Sequence, residues 1–242
     1  RFETERLDPR WIKDVIGGRA ANTKRLAEDL DPACDPMGPG NVLIFGIGPL
    51  TGTLLPASAY YTVTARSPLT GILGDSAAGG HFGPEMKLTG FDQIVITGCA
   101  DALMYLLVTD DGVRFVPCPE LAGRNVIETT AAIRQAHGDW DIQVAAIGVA
   151  GENRVRFAAL VSSGNRVNGR AGMGAVMGSK NLKAIAVRGG RSVRLHDPLR
   201  FLDEVRKVHR AILDHPEYEK RRRLGTTMLM HDLNRIGILP TR

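Results

Sequence analysis

Residues 162–187, SSGNRVNGRAGMGAVMGSKNLKAIAV, carry side chains whose types and spacing suit an anion. Two guanidiniums, Arg166 and Arg170, lie one helical or loop turn apart among Gly164, Gly169, Gly172, Gly174 and Gly178. Guanidinium groups suit bidentate contacts to phosphate. Glycine permits positive φ and lets a backbone approach a ligand closely. A short helix expected from about Gly172 would add unpaired N–H groups and a partial positive charge. A plainer reading stands beside this one: the glycines only allow tight packing, and the arginines only face water. Residue types do not separate the two. The spacing is not a P-loop, because no Gly-x-x-x-x-Gly-Lys-Ser/Thr occurs, and it is not the dinucleotide fingerprint Gly-x-Gly-x-x-Gly directly after a strand.

Other reactive groups are weaker candidates. Gly74-Asp75-Ser76 has the look of an esterase nucleophile block, but that chemistry needs a base to activate the serine. No Asp-x-x-His occurs in the chain, so Ser76 is read as a turn residue. Glu85 and Lys87 lie in a glycine-rich segment and are read either as groups beside a ligand or as a helix-start carboxylate and a solvated lysine. His81 follows Gly79-Gly80 and is read as packing, since a lone histidine rarely ligates a metal. Cys34, Cys99 and Cys118 are odd in number and form no Cys-x-x-Cys, so they encode no disulfide framework, zinc site or iron–sulfur site. They read as core or surface thiols, and a reducing cytoplasm is expected.

These groups need elements to position them. Asp8-Pro9 opens a helix, Asp as cap and Pro in the first turn, and Gly17-Gly18 interrupts it before a second helix to about Leu30. Strands are expected over 41–46, 60–67, 93–98, 142–148, 155–161 and 182–187, with a hairpin over 103–118 turning at Asp110-Asp111-Gly112. Asn125 caps a helix ended by Gly138, and Asp197-Pro198 opens another with apolar residues at helical spacing. The 67–87 segment reads as a long run of small residues with one helical turn near Pro84. Strands joined by short turns argue for an α+β fold rather than a doubly wound parallel sheet.

The 242 residues suffice for one large domain or two small ones. A boundary is expected at Gly189–Arg194, giving domains 1–190 and 191–242. Most of the +5 net charge lies in the tail, where Arg191–Arg223 holds ten Lys/Arg against six Asp/Glu. No aromatic residues interleave with these charges as stacking platforms would, so nucleic acid is not expected as a partner. No apolar run reaches about 18 residues, so no membrane span is expected. The first residues are charged and show no leader; Arg1 is not a methionine, so the chain is expected to be part of a longer one.

Read together, five runs resemble the N-terminal domain of the aldehyde ferredoxin oxidoreductase family, tungsten- or molybdenum-pterin enzymes. They are GPLTGT (48–53), SPLTG (67–71), GGHFGPEMKLTGFDQIVITG (79–98), AGENRVRFAAL (150–160) and GRAGMGAVMGSKNLKAIAV (169–187), in the family's order. LNRIGILPTR (233–242) is similar to the family's sequence just beyond that domain. The resemblance implies an α+β fold of two β-sheets, with flanking helices, forming a base for a metal held by two pterins. It implies a bis-pterin cofactor of tungsten or molybdenum whose phosphates are joined by a magnesium ion. That ion would take main-chain carbonyls from the loops at Ala77, Ala78, Gly79 and Gly80 and at Arg166, Val167, Asn168, Gly169 and Arg170. Main-chain oxygen is a hard ligand that suits magnesium. Gly172 and Tyr60 complete the expected cofactor-binding set.

Two positions depart from the family's pattern. Tyr60 stands where many relatives carry an arginine, and Ala77 where many carry an asparagine. Losing the arginine removes a charge-assisted contact, while Tyr60 retains one hydrogen-bond donor. The 4Fe-4S cluster ligands of the family come after this domain, so a cluster is expected in the full-length protein only. The implied activity is oxidation of an aldehyde to a carboxylic acid with ferredoxin, or another electron-transfer subunit, as acceptor; a homo-oligomer is compatible with it. The alternative, which Tyr60 and Ala77 keep open, is a non-catalytic module binding a phosphorylated ligand or a partner subunit.

Overall fold

The computed structural model describes residues 1–239. The last three residues of LNRIGILPTR lie outside the described residues. The chain divides into two compact units, residues 1–53 with 57–194, and residues 54–56 with 195–239.

In the first unit the strands are β1 (Leu43–Ile47), β2 (Tyr61–Arg66), β3 (Leu73–Ala78), β4 (Gln93–Ile96), β5 (Met104–Thr109), β6 (Gly112–Pro117), β7 (Gln143–Ala146), β8 (Leu160–Ser162), β9 (Arg166–Asn168) and β10 (Leu182–Arg188). The helices are α1 (Pro9–Val15), α2 (Gly18–Asp29), α3 (Phe82–Leu88), α4 (Val126–His137), α5 (Val149–Glu152) and α6 (Met173–Ser179). The strands form a four-stranded sheet, β3-β2-β1-β4, and a six-stranded sheet, β6-β5-β10-β7-β8-β9. All pairs are antiparallel except β5 with β10. The fold is therefore α+β with two sheets, as the strand-and-turn pattern implies. The single parallel pair was not legible, because β5 and β10 are far apart in sequence.

The sheets sandwich a common core. Leu43, Phe45 and Ile47 from β1 and Tyr61, Val63 and Ala65 from β2 meet Ile185 and Val187 from β10. Between them lie Phe82 and Met86 of α3 and Met173, Val176 and Met177 of α6. The alternate residues of β10, Ala184 and Ala186, face the other way and pack with Ile133 of α4. Strand β10 is thus buried on both faces, which explains its apolar run from Ala184 to Val187. Helix α2 covers the outer face of the small sheet through Leu26, against Val42 and Ile44. Asn22 of α2 reaches into that sheet and donates to Thr62 Oγ1 at 3.1 Å and Thr64 Oγ1 at 3.2 Å.

Local chemistry explains the boundaries. Asp8 Oδ1 accepts from the Arg10 N–H, with Pro9 in the first turn of α1. Asn125 and Glu128 form a reciprocal capping box on α4, and Gly138 closes it at φ +62°. The β5–β6 hairpin turns at Asp110-Asp111, opposite Thr109 and Gly112. Burial sends Cys118 into the core, and desolvation with the nearby Glu120 pushes its thiol up to about 12. Lys183 is fully buried on β10, where its ammonium is paired with Glu152 and donates to Arg124 O at 2.7 Å.

Three expectations need correction. The 155–161 run is a strand only at its end, in β8. Val149–Glu152 turns into α5 instead, and the Ala158 carbonyl accepts from Gly174 N–H at 2.9 Å rather than joining a ladder. The 67–87 segment contains β3, which pairs with β2 along its whole length. Ser76 lies in that strand and not in a turn.

In the second unit, Asp197 caps α7 (Pro198–Leu213) by accepting from the Arg200 N–H, as Asp197-Pro198 implies. Helices α8 (Tyr218–Leu224) and α9 (Met230–Arg235) follow. Among the described residues no helix is long and apolar enough to cross a membrane.

Candidate functional site

Two loops from different sheets come together. The first leaves β3 at Ala77-Ala78 and turns through Gly79-Gly80, with Gly80 at φ +95°. The second is the β8–β9 hairpin, whose turn passes through Ser163 and Gly164 and whose second strand is Arg166-Val167-Asn168. They touch at Gly80. A side chain there would place its Cβ 2.7 Å from Arg166 Cγ and 2.9 Å from Ser163 Oγ. Glycine is required by the φ angle and by this approach together. The His81 N–H donates to Ser163 Oγ at 3.0 Å, which fixes the far end of the first loop.

The remaining expected residues surround this junction. Tyr60 precedes β2 and is 57% exposed, with its ring carbon Cζ 4.0 Å from where a Gly79 Cβ would lie. Ala77 is exposed and Ala78 buried, as alternation on a strand demands. Arg166, Val167, Gly169 and Arg170 are exposed and Asn168 is buried. The Arg170 N–H donates to Ser76 Oγ at 3.2 Å, so Ser76 holds a backbone and is not a poised nucleophile. Neither Arg166 nor Arg170 has an ion-pair partner among the described residues, unlike Arg188, which meets Glu85, Asp139 and Asp141. Arg166, exposed and uncompensated against a side-chain-free backbone, with Arg170 exposed four residues further on, makes a surface suited to phosphate oxygens.

The glycine-rich stretch divides into two functions. Gly172, Gly174 and Gly178 do not face this surface. A Cβ at Gly172 would lie 2.0 Å from Arg156 O, one at Gly174 2.5 Å from Ala159 O, and one at Gly178 1.9 Å from Gly151 O. They let α6 pack on backbone. The expected anion role for the helix start is corrected by the same observation. Helix α6 is buried throughout, and the Gly174 N–H is taken by Ala158 O. Gly172 is therefore a packing residue. The plainer reading holds for α6, and the loop before it keeps the arginines free.

Three further candidates are accounted for elsewhere. Glu85 Oε1 accepts from Arg188 Nη1 at 3.1 Å and from the Gly189 N–H at 2.9 Å, tying α3 to the end of β10. Lys87 pairs with Asp92 at 2.5 Å. His81 is exposed at the edge of the Gly79-Gly80 loop rather than packed, and its backbone N–H is held by Ser163.

Beneath the loops lies a polar chain that residue types did not reveal. Tyr61 is fully buried, and its hydroxyl donates to Asn168 Oδ1 at 2.6 Å and is paired with Ser162 Oγ at 2.9 Å. The Asn168 amide donates to Ser76 O at 2.8 Å. Burial pushes the Tyr61 phenol above its usual range, so it stays protonated.

Residues 1–189 match the family model described as aldehyde ferredoxin oxidoreductase, N-terminal domain. The chain belongs to the aldehyde ferredoxin oxidoreductase family. It is 41% identical over its whole length to a tungsten-containing aldehyde ferredoxin oxidoreductase of Pyrococcus abyssi (strain GE5 / Orsay), of which it covers 40%. It is 40% identical over the same span to the enzyme of that name from Pyrococcus horikoshii, again covering 40%. The chain thus spans about two fifths of the length of these relatives. Among solved structures it is similar to the active-site complex BamBC of benzoyl coenzyme A reductase in complex with 1,5-dienoyl-CoA. The TM-score is 0.86 at 35% identity, covering 89% of this chain and 33% of that one. The family resemblance read from the five runs is confirmed, and the two-sheet fold with it.

Proposed function

We propose that the chain is the cofactor-binding N-terminal part of a tungsten-pterin oxidoreductase that converts an aldehyde and water to a carboxylic acid, releasing two electrons and two protons, with ferredoxin as the electron acceptor. The observation that carries this reading is the packing of Gly80 against Arg166, which brings a bare backbone and an uncompensated arginine together, with Arg170 on the same loop. The names of the relatives support tungsten, an aldehyde substrate and ferredoxin as acceptor.

The residues fit a phosphorylated cofactor. Arg166 and Arg170 would hold phosphate oxygens through charge-assisted hydrogen bonds. The carbonyls of the Ala77–Gly80 and Arg166–Arg170 segments would supply hard oxygen ligands to a bridging magnesium. Tyr60 would donate one hydrogen bond from the rim. When bound, the tungsten-pterin supplies the two-electron chemistry. The chain would bind it and orient it on loops held from below by the buried Tyr61–Asn168 pair. A 4Fe-4S cluster would be held elsewhere in the full-length protein.

The test is metal and pterin analysis of the full-length protein after anaerobic expression with tungstate and molybdate supplied. Tungsten near one per chain, with pterin, is the expected result. A protein folded but free of pterin under those conditions overturns the reading and favours a non-catalytic binding module.

A further inference from the structure

The two loops of the site belong to sheets that share no ladder, so their spacing must be set by something else. Strand β3 is the end strand of the small sheet, and β9 is the end strand of the large one. Across this gap run three bonds: Asn168 Nδ2 to Ser76 O, the Arg170 N–H to Ser76 Oγ, and the His81 N–H to Ser163 Oγ. The first is the buried one. It depends on the orientation of an amide, since a flipped Asn168 would present an oxygen to the Ser76 carbonyl. Tyr61 supports the orientation that pairs with Ser76. Its hydroxyl donates to Asn168 Oδ1 at 2.6 Å, which leaves the NH2 group facing Ser76. The phenol cannot swing away, because its ring is held by Phe82 at 4.7 Å and Phe45 at 6.4 Å between centroids. Tyr61 enters from β2, next to β3, while Asn168 sits between Arg166 and Arg170. One rigid side chain of the small sheet therefore fixes the strand of the large sheet that carries Arg166 and leads into Arg170.

We propose that Tyr61 and Asn168 are positioning residues, whose buried bond sets the distance between the Ala77–Gly80 loop and the Arg166–Arg170 loop and so fits them to the phosphates of the pterin. This rests on the cofactor reading given above. A buried network in which every member is satisfied specifies one arrangement, and removing one member leaves the others unpaired. Because burial keeps the phenol protonated, the bond persists through the physiological pH range.

The experiment uses the full-length protein, expressed anaerobically, with three variants: Tyr61→Phe, Asn168→Leu and the double variant. Pterin and tungsten per chain are measured, with amide hydrogen exchange over residues 163–172 and 182–188 and the melting temperature. In Tyr61→Phe, exchange over 163–172 should quicken about tenfold while that over 182–188 stays as in the wild type, and pterin content should fall severalfold. The double variant leaves no orphaned amide, so its melting temperature should recover toward the wild type. Its pterin content should remain low, because the link to Ser76 is still missing. Recovery of pterin together with stability would overturn the positioning role and leave only a structural one. Unchanged exchange and pterin in Tyr61→Phe would overturn it too. Should Tyr61→Phe fail to fold, Ser163→Ala probes the same gap from the surface; it should quicken exchange at His81 and lower pterin content, and an unaltered pterin content there would count against the proposal. Wild-type protein without pterin would sink the cofactor reading, while the exchange pattern would still report on the bond between the loops.

Discussion

Gly80 lies so close to Arg166 that a methyl group on it would stand 2.7 Å from the arginine's Cγ. Real side chains do not approach so closely, and Gly80 also holds φ at +95°. The contact joins two sheets that are otherwise separate ladders. It also presses the stem of one of the two free arginines against bare backbone.

Gly80→Ala should therefore act on the site more than on the fold. The left-handed backbone costs about 1–2 kcal/mol for a residue with a Cβ, and the arginine must move aside. The expected outcome is a modest drop in melting temperature with a large drop in pterin content of the full-length protein. Gly164→Ala is the control, since nothing lies within 4 Å of its would-be Cβ and φ is +74°. It should share the backbone cost and keep its pterin; equal pterin loss in both would mean that the Gly80 contact has no special role.

Arg170→Ala should lower cofactor occupancy and leave the fold alone. Its side chain is exposed and has no ion-pair partner among the described residues. A charge-assisted contact to phosphate is worth about 1.5–3 kcal/mol, or roughly tenfold or more in occupancy when cofactor is limiting. Stability should stay within about 0.5 kcal/mol of wild type. Pterin and metal analysis alongside urea unfolding separates the two quantities, and a fully loaded variant would remove Arg170 from the site.

The glycines of α6 predict the opposite pattern. Gly178→Ala would put a Cβ 1.9 Å from Gly151 O, against backbone that cannot yield as a side chain can. Overpacking of this kind costs about 1–3 kcal/mol. The variant should unfold at lower urea, and any pterin it binds in the native state should be held as in the wild type. Wild-type stability would show that α6 and α5 slide apart at no cost.

How much of this was legible follows from what each residue touches. Strands β1, β2 and β10 could be read because β-branched and apolar runs are buried on one or both faces. Strand β3, LGDSAA, could not. Its small residues are there because Gly74 lies under Ala171, Met173 and Ser67, and only the pairing with β2 makes it a strand. Strand β9 is three residues long and exists through β8. At the site, Arg166, Arg170, Gly79 and Gly80 were visible by type, and the structure brings Gly80 and Arg166 into contact. Gly172 shared their composition but packs instead against the Arg156 carbonyl. The two adjacent tyrosines show the limit clearly. Strand alternation says that Tyr60 and Tyr61 face opposite ways, yet not which one is buried. The buried one proved to be the link between sheets.

The last prediction concerns Lys180, which a sequence cannot distinguish from a solvated lysine. Its ammonium is buried, donating to Asn41 O at 2.6 Å and Gly98 O at 3.0 Å. Burial lowers it to about 8, only partly offset by Cys99 and Cys34. The unfolded chain has the ordinary lysine value of about 10.4. Between these two values the unfolded state binds more protons than the folded one, so the free energy of unfolding rises with pH. Below about 8 both states are charged and the folded state bears the full desolvation cost. Above the unfolded value both are neutral and that cost has gone. Allowing for partial solvent screening, the gain across the window is about 2 kcal/mol. Other groups titrate there too, so the useful quantity is the difference between wild type and Lys180→Met. That variant leaves two carbonyls without a donor, a penalty that does not itself titrate. Urea unfolding at several pH values from 7 upward should show the wild type drawing further ahead of the variant as pH rises through the window. A difference that stays flat would mean that Lys180 keeps its ordinary proton affinity, held by the two carbonyls against the cost of burial.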